Sequence, residues 1–175
     1  PPKLWVSSQD GTKRYALEEN ANPPILGFER GTPEFAEVKA GDGTTLYGAL
    51  LKPADFDPQK RYPVVLSVYG GPHAQTVSNS WGVASPFAHL MASRGFLVWS
   101  LDNRGMARRG TAFESAVYHD LGRVELEDQL AGVQYLKSLP FVDPARIGIT
   151  GWSYGGYMTL YAVTNAPGVF RAAVA

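Results

Sequence analysis

Apolar positions in this chain come in short runs separated by turns rich in glycine, proline and aspartate, and the spacing inside each run predicts an element. Residues 3–7, KLWVS, alternate weakly and read as an edge strand, with QDGTKR and its Asp-Gly pair as the turn after it. The segment RYALEENANPPILGFERGTPE is polar and punctuated by Pro23, Pro24 and Pro33, which predicts linker or loop. In residues 34–52, EFAEVKAGDGTTLYGALLK, two strand-like runs flank Gly41-Asp42-Gly43, the pattern of a hairpin. PADFDPQKRY comes next as a surface loop. Residues 62–70, YPVVLSVYG, form a β-branched run without strict alternation, as expected of a strand buried on both faces.

GGPHAQTVSNSWGV is a long loop, and Ser85 with Pro86 then reads as an N-cap followed by proline at the first helical position. Phe87, Leu90 and Met91 would line one face of that short helix, and Gly95 would end it. FLVWSLD, residues 96–102, is a second buried strand, and NRGMARRGTAFESAVYHDLG reads as loop. Residues 124–139 are amphipathic, with Leu126, Leu130, Val133 and Leu136 on one side. A third strand at 146–150 leads into a helix carrying Tyr157, Leu160, Tyr161 and Val163, and 169–175, VFRAAVA, is the apolar start of another strand.

Strands alternating with helices predict an α/β fold: a mostly parallel sheet flanked by helices, preceded by a short antiparallel hairpin. Right-handed crossovers bring the loops after Val68, Leu101 and Thr150 to one carboxyl edge of the sheet, where open α/β sheets bind ligands.

Composition narrows the function. The 175 residues are the size of one domain, 45% apolar and 18% charged, with 16 basic against 16 acidic residues. Zero formal charge and the lack of a basic stripe argue against a nucleic-acid partner. Without cysteine there is no disulfide frame or thiolate metal site. No run approaches the ~20 apolar residues of a membrane span. The chain opens on Pro1-Pro2 without an initiator Met or a signal segment and stops inside an apolar run. It is therefore expected to be an excerpt of a longer protein.

The chemistry centres on TGWSYGGYMTLYA, residues 150–162. Gly151-x-Ser153-x-Gly155 matches the nucleophile elbow, in which a strand turns into a helix at a strained serine and the flanking glycines avoid collision. Such a turn lifts the hydroxyl above the sheet and aims the next backbone N–H, that of Tyr154, at a developing oxyanion. The plainer alternative is a glycine-rich helix start in which Ser153 is only an N-cap. A phosphate loop fits less well, since no Gly-Lys-Ser or Gly-Lys-Thr is present.

GWSYGGY resembles the nucleophile motif of the dipeptidyl peptidase IV family, in the prolyl oligopeptidase clan of serine peptidases. YGGP at 69–72 resembles that family's oxyanion loop, LDNRGMARRG at 101–110 its DxRG loop, and HDLGRVELEDQLAGVQYL at 119–136 the helix after it. The resemblance implies a partial α/β-hydrolase fold over residues 31–175, lacking its C-terminal part, with residues 1–30 as the exit from a β-propeller and a linker. It also implies a serine exopeptidase that takes a peptide substrate and releases N-terminal dipeptides with Pro or Ala second. On it, Ser153 is the nucleophile, and Tyr69 donates its phenol to the oxyanion beside the Tyr154 N–H. The Tyr154 ring helps wall the proline pocket. No cofactor or metal is implied, a homodimer is, and a periplasmic or secreted location is favoured with the cytoplasm also compatible.

A serine nucleophile needs a histidine base oriented by a carboxylate, in the chain order serine, aspartate, histidine for this fold. Neither Asp nor His follows Ser153, and the three histidines, His73, His89 and His119, all precede it. His73, on the oxyanion loop, is the one with a case for approaching the site. Asp102 comes in the wrong order and reads as a structural carboxylate holding its loop against Arg104. The 175 residues alone are thus expected to be inactive. The alternatives are an esterase or lipase of the same fold, an acylaminoacyl peptidase or oligopeptidase of the same clan, and a non-catalytic relative.

Overall fold

The computed structural model describes residues 2–21, 31–80 and 83–175. Residues 22–30 of the expected linker, and Trp81 and Gly82 of the long loop, lie outside the described residues. The first element is an antiparallel hairpin of β1 (Leu4–Ser7) and β2 (Arg14–Glu18), with Ser7 opposite Arg14. β2 corrects the reading of this stretch as loop. Its turn is fixed by Asp10, whose Oδ1 accepts from the Thr12 N–H (3.1 Å) and the Ser8 hydroxyl (2.6 Å). Across the pair the Arg14 guanidinium lies 4.4 Å from the centre of the Trp5 ring, a cross-strand contact that the downstream prolines masked in the sequence.

The second sheet has six strands: β3 (Glu34–Lys39), β4 (Thr45–Leu51), β5 (Tyr62–Ser67), β6 (Leu97–Asp102), β7 (Val142–Thr150) and β8 (Ala172–Val174). Their order is β3-β4-β6-β5-β7-β8. The expected hairpin at 34–52 is β3–β4, and β4 joins it antiparallel to β6. The pairs β6/β5, β5/β7 and β7/β8 are parallel, so the hairpin extends a parallel sheet as its antiparallel flank. Helix α1 (Pro86–Ser93) connects β5 to β6, α3 (Arg123–Ser138) connects β6 to β7, and α4 (Tyr154–Asn165) connects β7 to β8. The loop expected before α3 also holds a single helical turn, α2 (Thr111–Glu114), and a 3-10 turn at Ser115–Val117.

This order places the switch point. β5 sends its connection towards β6, while its neighbour β7 sends its own the other way, towards β8. The crevice between two such strands, at their carboxyl ends, is where open α/β sheets bind ligands. Tyr69 leaves β5 there, and Ser153 leaves β7.

The two faces of the sheet are unequal. One face carries the main core, where Val64, Leu66, Leu97, Trp99 and Ile147 pack with Val133 and Leu136 of α3 and Met158 of α4. Each such aliphatic side chain stabilises the fold by about 1.5–3 kcal/mol. The other face holds a small cluster, Leu51 and Val98 against Ala88 and Ala92 of α1. β5 consequently alternates, with Tyr62, Val64 and Leu66 buried and Pro63, Val65 and Ser67 half-buried, where burial on both faces was expected.

Helix α1 turns differently from the expectation, and α4, for which no face was expected, likewise packs on small residues. On α1 the buried residues are Ala88 and Ala92, while Phe87 and Leu90 are exposed. On α4 they are Gly155, Met158, Thr159 and Ala162, while Tyr157 and Leu160 are exposed. Small residues let both helices approach the sheet closely, so apolar bulk misidentified the inner face of α1. β8, expected as core, is exposed at all three positions.

Candidate active site

β7 ends at Thr150 and α4 begins at Tyr154, leaving three residues to turn the chain. Ser153 makes that turn with φ 58° and ψ −120°, a left-handed conformation that L-residues with a side chain rarely hold. The glycines on either side are there for space. A Cβ at Gly155 would collide with the Val68 carbonyl oxygen, and one at Gly151 with the backbone of Gly155 and of Val68. Helix α4 therefore starts against the end of β5, closer than any other residue allows. Ser153 stands at the N-cap but is exposed and makes no capping hydrogen bond, which removes the plainer reading of this serine. The Ser153 side chain gives no hydrogen bond to its helix in return for the strain.

Tyr154 supplies the first N–H of α4, one of the N–H groups without an intrahelical partner, at the positive end of the helix dipole. Its ring lies against Gly71, where a Cβ would fall 2.6 Å from Tyr154 Cγ. The Tyr69 ring centre is 6.2 Å from that of Tyr154, so the elbow and the YGG loop meet through two tyrosines. Among the described residues the Tyr69 hydroxyl has no hydrogen bond and remains available to a ligand. The Tyr154 hydroxyl is engaged: it donates to Glu125 Oε1 at 2.7 Å. Burial and then this bond push its pKa up, so the phenol stays a donor at every working pH.

Behind the tyrosines lies a frame of buried polar groups. Asn103 donates from Nδ2 to the Gly70 carbonyl (3.0 Å) and accepts at Oδ1 from Gln129 (2.9 Å), which fixes the residue after Tyr69. Asp128 is fully buried and takes the Arg104 guanidinium in a fork, with Nε to Oδ2 at 3.0 Å and Nη2 to Oδ1 at 2.7 Å. These bonds raise the Arg104 pKa above its ordinary value. Asp102 holds the YGGP loop and not Arg104. It accepts from Thr76 N–H (2.8 Å), Thr76 Oγ1 (2.6 Å) and Val77 N–H (3.1 Å). Burial pushes the Asp102 carboxyl up, against the opposing hydrogen bonds of Thr76 and Val77 and the charge of Arg109.

Of the expected site residues, the structure brings Tyr69 and Tyr154 together beside Ser153 at the switch point. His73 and His119 are exposed and line a separate cavity of about 670 Å³ with Glu114 and Tyr118. A second cavity, about 620 Å³, runs from Tyr69, Gly151 and Trp152 over the thinly covered sheet face to Phe87 and Val98. Among the described residues no group of three or more His, Cys, Asp or Glu side chains could hold a metal ion. Glu125, Asp128, Gln129 and Asn103 were not singled out from the sequence. Their one signal is that Glu125, Asp128, Gln129 and Gly132 share the helical face of Leu136, on a helix that must cover a sheet.

The profile of the prolyl oligopeptidase family matches residues 83–175. The chain belongs to the prolyl oligopeptidase family, and the serine elbow at a sheet switch point is how that membership shows in the structure. It is 46% identical over 175 residues to dipeptidyl peptidase 8 of Homo sapiens, covering 99% of this chain and 18% of that protein. It is 38% identical over 161 residues to prolyl endopeptidase FAP of Mus musculus, covering 91% of this chain and 21% of that protein. The crystal structure of Porphyromonas gingivalis dipeptidyl peptidase 4 superposes with a TM-score of 0.91 at 36% identity, over 100% of this chain and 25% of that one. The chain thus spans about a fifth of the length of the curated relatives it matches and corresponds to part of a catalytic domain.

Proposed function

We propose that the full-length protein is a serine exopeptidase that releases N-terminal dipeptides, preferentially with Pro or Ala second, through an acyl-enzyme on Ser153. The observation that carries this is the Ser153 turn: strained, exposed, uncapped, and set beside a tyrosine with an unoccupied hydroxyl. Ser153 Oγ attacks the carbonyl carbon of the second residue. The developing oxyanion is met by the Tyr69 hydroxyl and the Tyr154 N–H, both preorganised by the frame behind them. The base takes the Ser153 proton and gives it to the amine as the C–N bond breaks, and water, deprotonated by the same base, then hydrolyses the ester to free the dipeptide and restore the Ser153 hydroxyl. The Tyr154 ring helps wall the pocket for the proline.

On this reading residues 31–175 are the first part of the catalytic domain and 1–30 the exit from a propeller and its linker. On the same reading the base and its carboxylate come from outside these 175 residues, which span about a fifth of the curated relatives' length and place no Asp or His after Ser153. The names of the dipeptidyl peptidase relatives support the substrate class.

The test is one assay of both chains on Gly-Pro and Ala-Pro chromogenic reporters. Full-length protein should turn over and the 175-residue chain should not, because a triad lacking a member loses several orders of magnitude. Turnover by the short chain that is lost on mutating His73 would reassign the base. Full-length protein that ignores proline reporters but cleaves simple esters would make this an esterase.

A further inference from the structure

Glu125 is fully buried, and no salt bridge among the described residues includes it. Its two oxygens are used separately. Oε2 accepts the Gly122 N–H at 2.9 Å, just before α3, and Oε1 accepts the Tyr154 hydroxyl at 2.7 Å. The first bond suits a glutamate at the third position of a helix, where the dipole favours negative charge. The second reaches the first residue of α4, next to Ser153. One turn further, the Tyr157 hydroxyl donates to the Leu121 carbonyl at 3.0 Å, so α4 grips the start of α3 twice.

We infer that Glu125 is a positioning residue of the active site, its carboxylate tethering the Tyr154 side chain and thereby setting the oxyanion N–H and the pocket wall. The inference rests on the peptidase reading above. The Tyr154 side chain has four neighbours: Glu125 at its tip, Gly71 at its base, the Tyr157 ring, edge-on with centres 5.2 Å apart, and the Tyr69 ring at 6.2 Å. Only the first fixes how far the ring extends from the elbow. An isolated buried carboxylate is costly, and the Gly122 N–H at the start of α3 occupies only one of its two oxygens. Its placement makes sense if the Tyr154 hydroxyl needs an anchor.

The experiment is a double-mutant cycle in the full-length protein with Glu125→Met, Tyr154→Phe and both together, and Glu125→Gln as the conservative variant. Methionine fills the volume without an acceptor, and the double variant leaves neither group unpaired, so it remains informative if Glu125→Met folds poorly. Glutamine can keep its carbonyl oxygen on the Gly122 N–H and turn its NH2 to the Tyr154 oxygen, which then accepts, so the tether persists with that bond reversed. We expect Tyr154→Phe and Glu125→Met each to lower kcat on Gly-Pro reporters about tenfold with KM little changed. The double variant should be no worse than the worse single, and Glu125→Gln should recover most of the rate. The rate at which a phosphonate ester labels Ser153 should fall in parallel. Wild-type kcat in the double variant, or losses that multiply, would overturn the inference. If the wild-type protein is labelled but cleaves no dipeptide, the peptidase reading fails and the labelling rates still decide the role of Glu125.

Discussion

Ser85 and Ser153 stand at the same position of two helices, the residue before the first turn of α1 and of α4. At Ser85 the backbone is extended (φ −64°, ψ 162°), proline comes next, and Oγ accepts the Ala88 N–H at 3.1 Å. At Ser153 the backbone is left-handed (φ 58°, ψ −120°) and Oγ caps nothing. The first serine satisfies an orphan N–H and stabilises its helix. The second caps no N–H of α4 and is held by glycines and neighbouring backbone in a conformation it would not choose. A serine before a helix is therefore not one signal. Its neighbours, a proline in one case and crowded glycines in the other, decide whether it caps its helix or stands strained and uncapped.

The largest difference should appear in activity. In the full-length protein Ser153→Ala should lower kcat/KM on a Gly-Pro reporter by about 10⁴-fold or more, whereas Ser85→Ala should stay within about twofold. Equal effects would erase the distinction.

The next effect is steric, and adjacent glycines sharpen it. Gly155→Ala forces a Cβ into the Val68 carbonyl, which cannot yield without moving β5 from α4. A cost of about 2–3 kcal/mol is expected in thermal or denaturant unfolding. At Gly156 a Cβ meets nothing closer than the Gly151 carbonyl oxygen at 3.6 Å, so Gly156→Ala should be neutral or stabilise by up to about 1 kcal/mol.

Smaller still are the effects at the two serines on stability. Ser85→Ala should cost about 1 kcal/mol through the lost cap, and Ser153→Ala less than about 0.5 kcal/mol, since no bond is lost. Ser153→Gly should raise stability by about 1 kcal/mol, because glycine holds the left-handed turn without strain, while activity disappears. A destabilised Ser153→Gly would mean that the turn is not strained.

The elbow was legible in the sequence because its signature is local: five residues carry the turn, although the glycines also clear the distant Val68 carbonyl. The order of strands and helices was legible for the same reason, through apolar spacing. The inner faces of α1 and α4 were not, because small residues chosen for close approach look weaker than Phe87 or Leu160. The frame behind the site was hidden for a different reason. Glu125, Asp128 and Gln129 look like a solvated helix face until Tyr154 is brought 29 positions back along the chain to Glu125 and Arg104 is paired with Asp128 across 24. β2 was missed because its strand signal runs directly into the proline-rich segment.

The central claim is that Ser153 is the reactive hydroxyl. The direct measurement is to treat the full-length protein with a fluorophosphonate, digest it, and locate the covalent adduct by mass spectrometry. The adduct should fall on Ser153, with Ser85 unmodified, and vanish in Ser153→Ala. An adduct on another serine, or none on folded protein, would contradict the account.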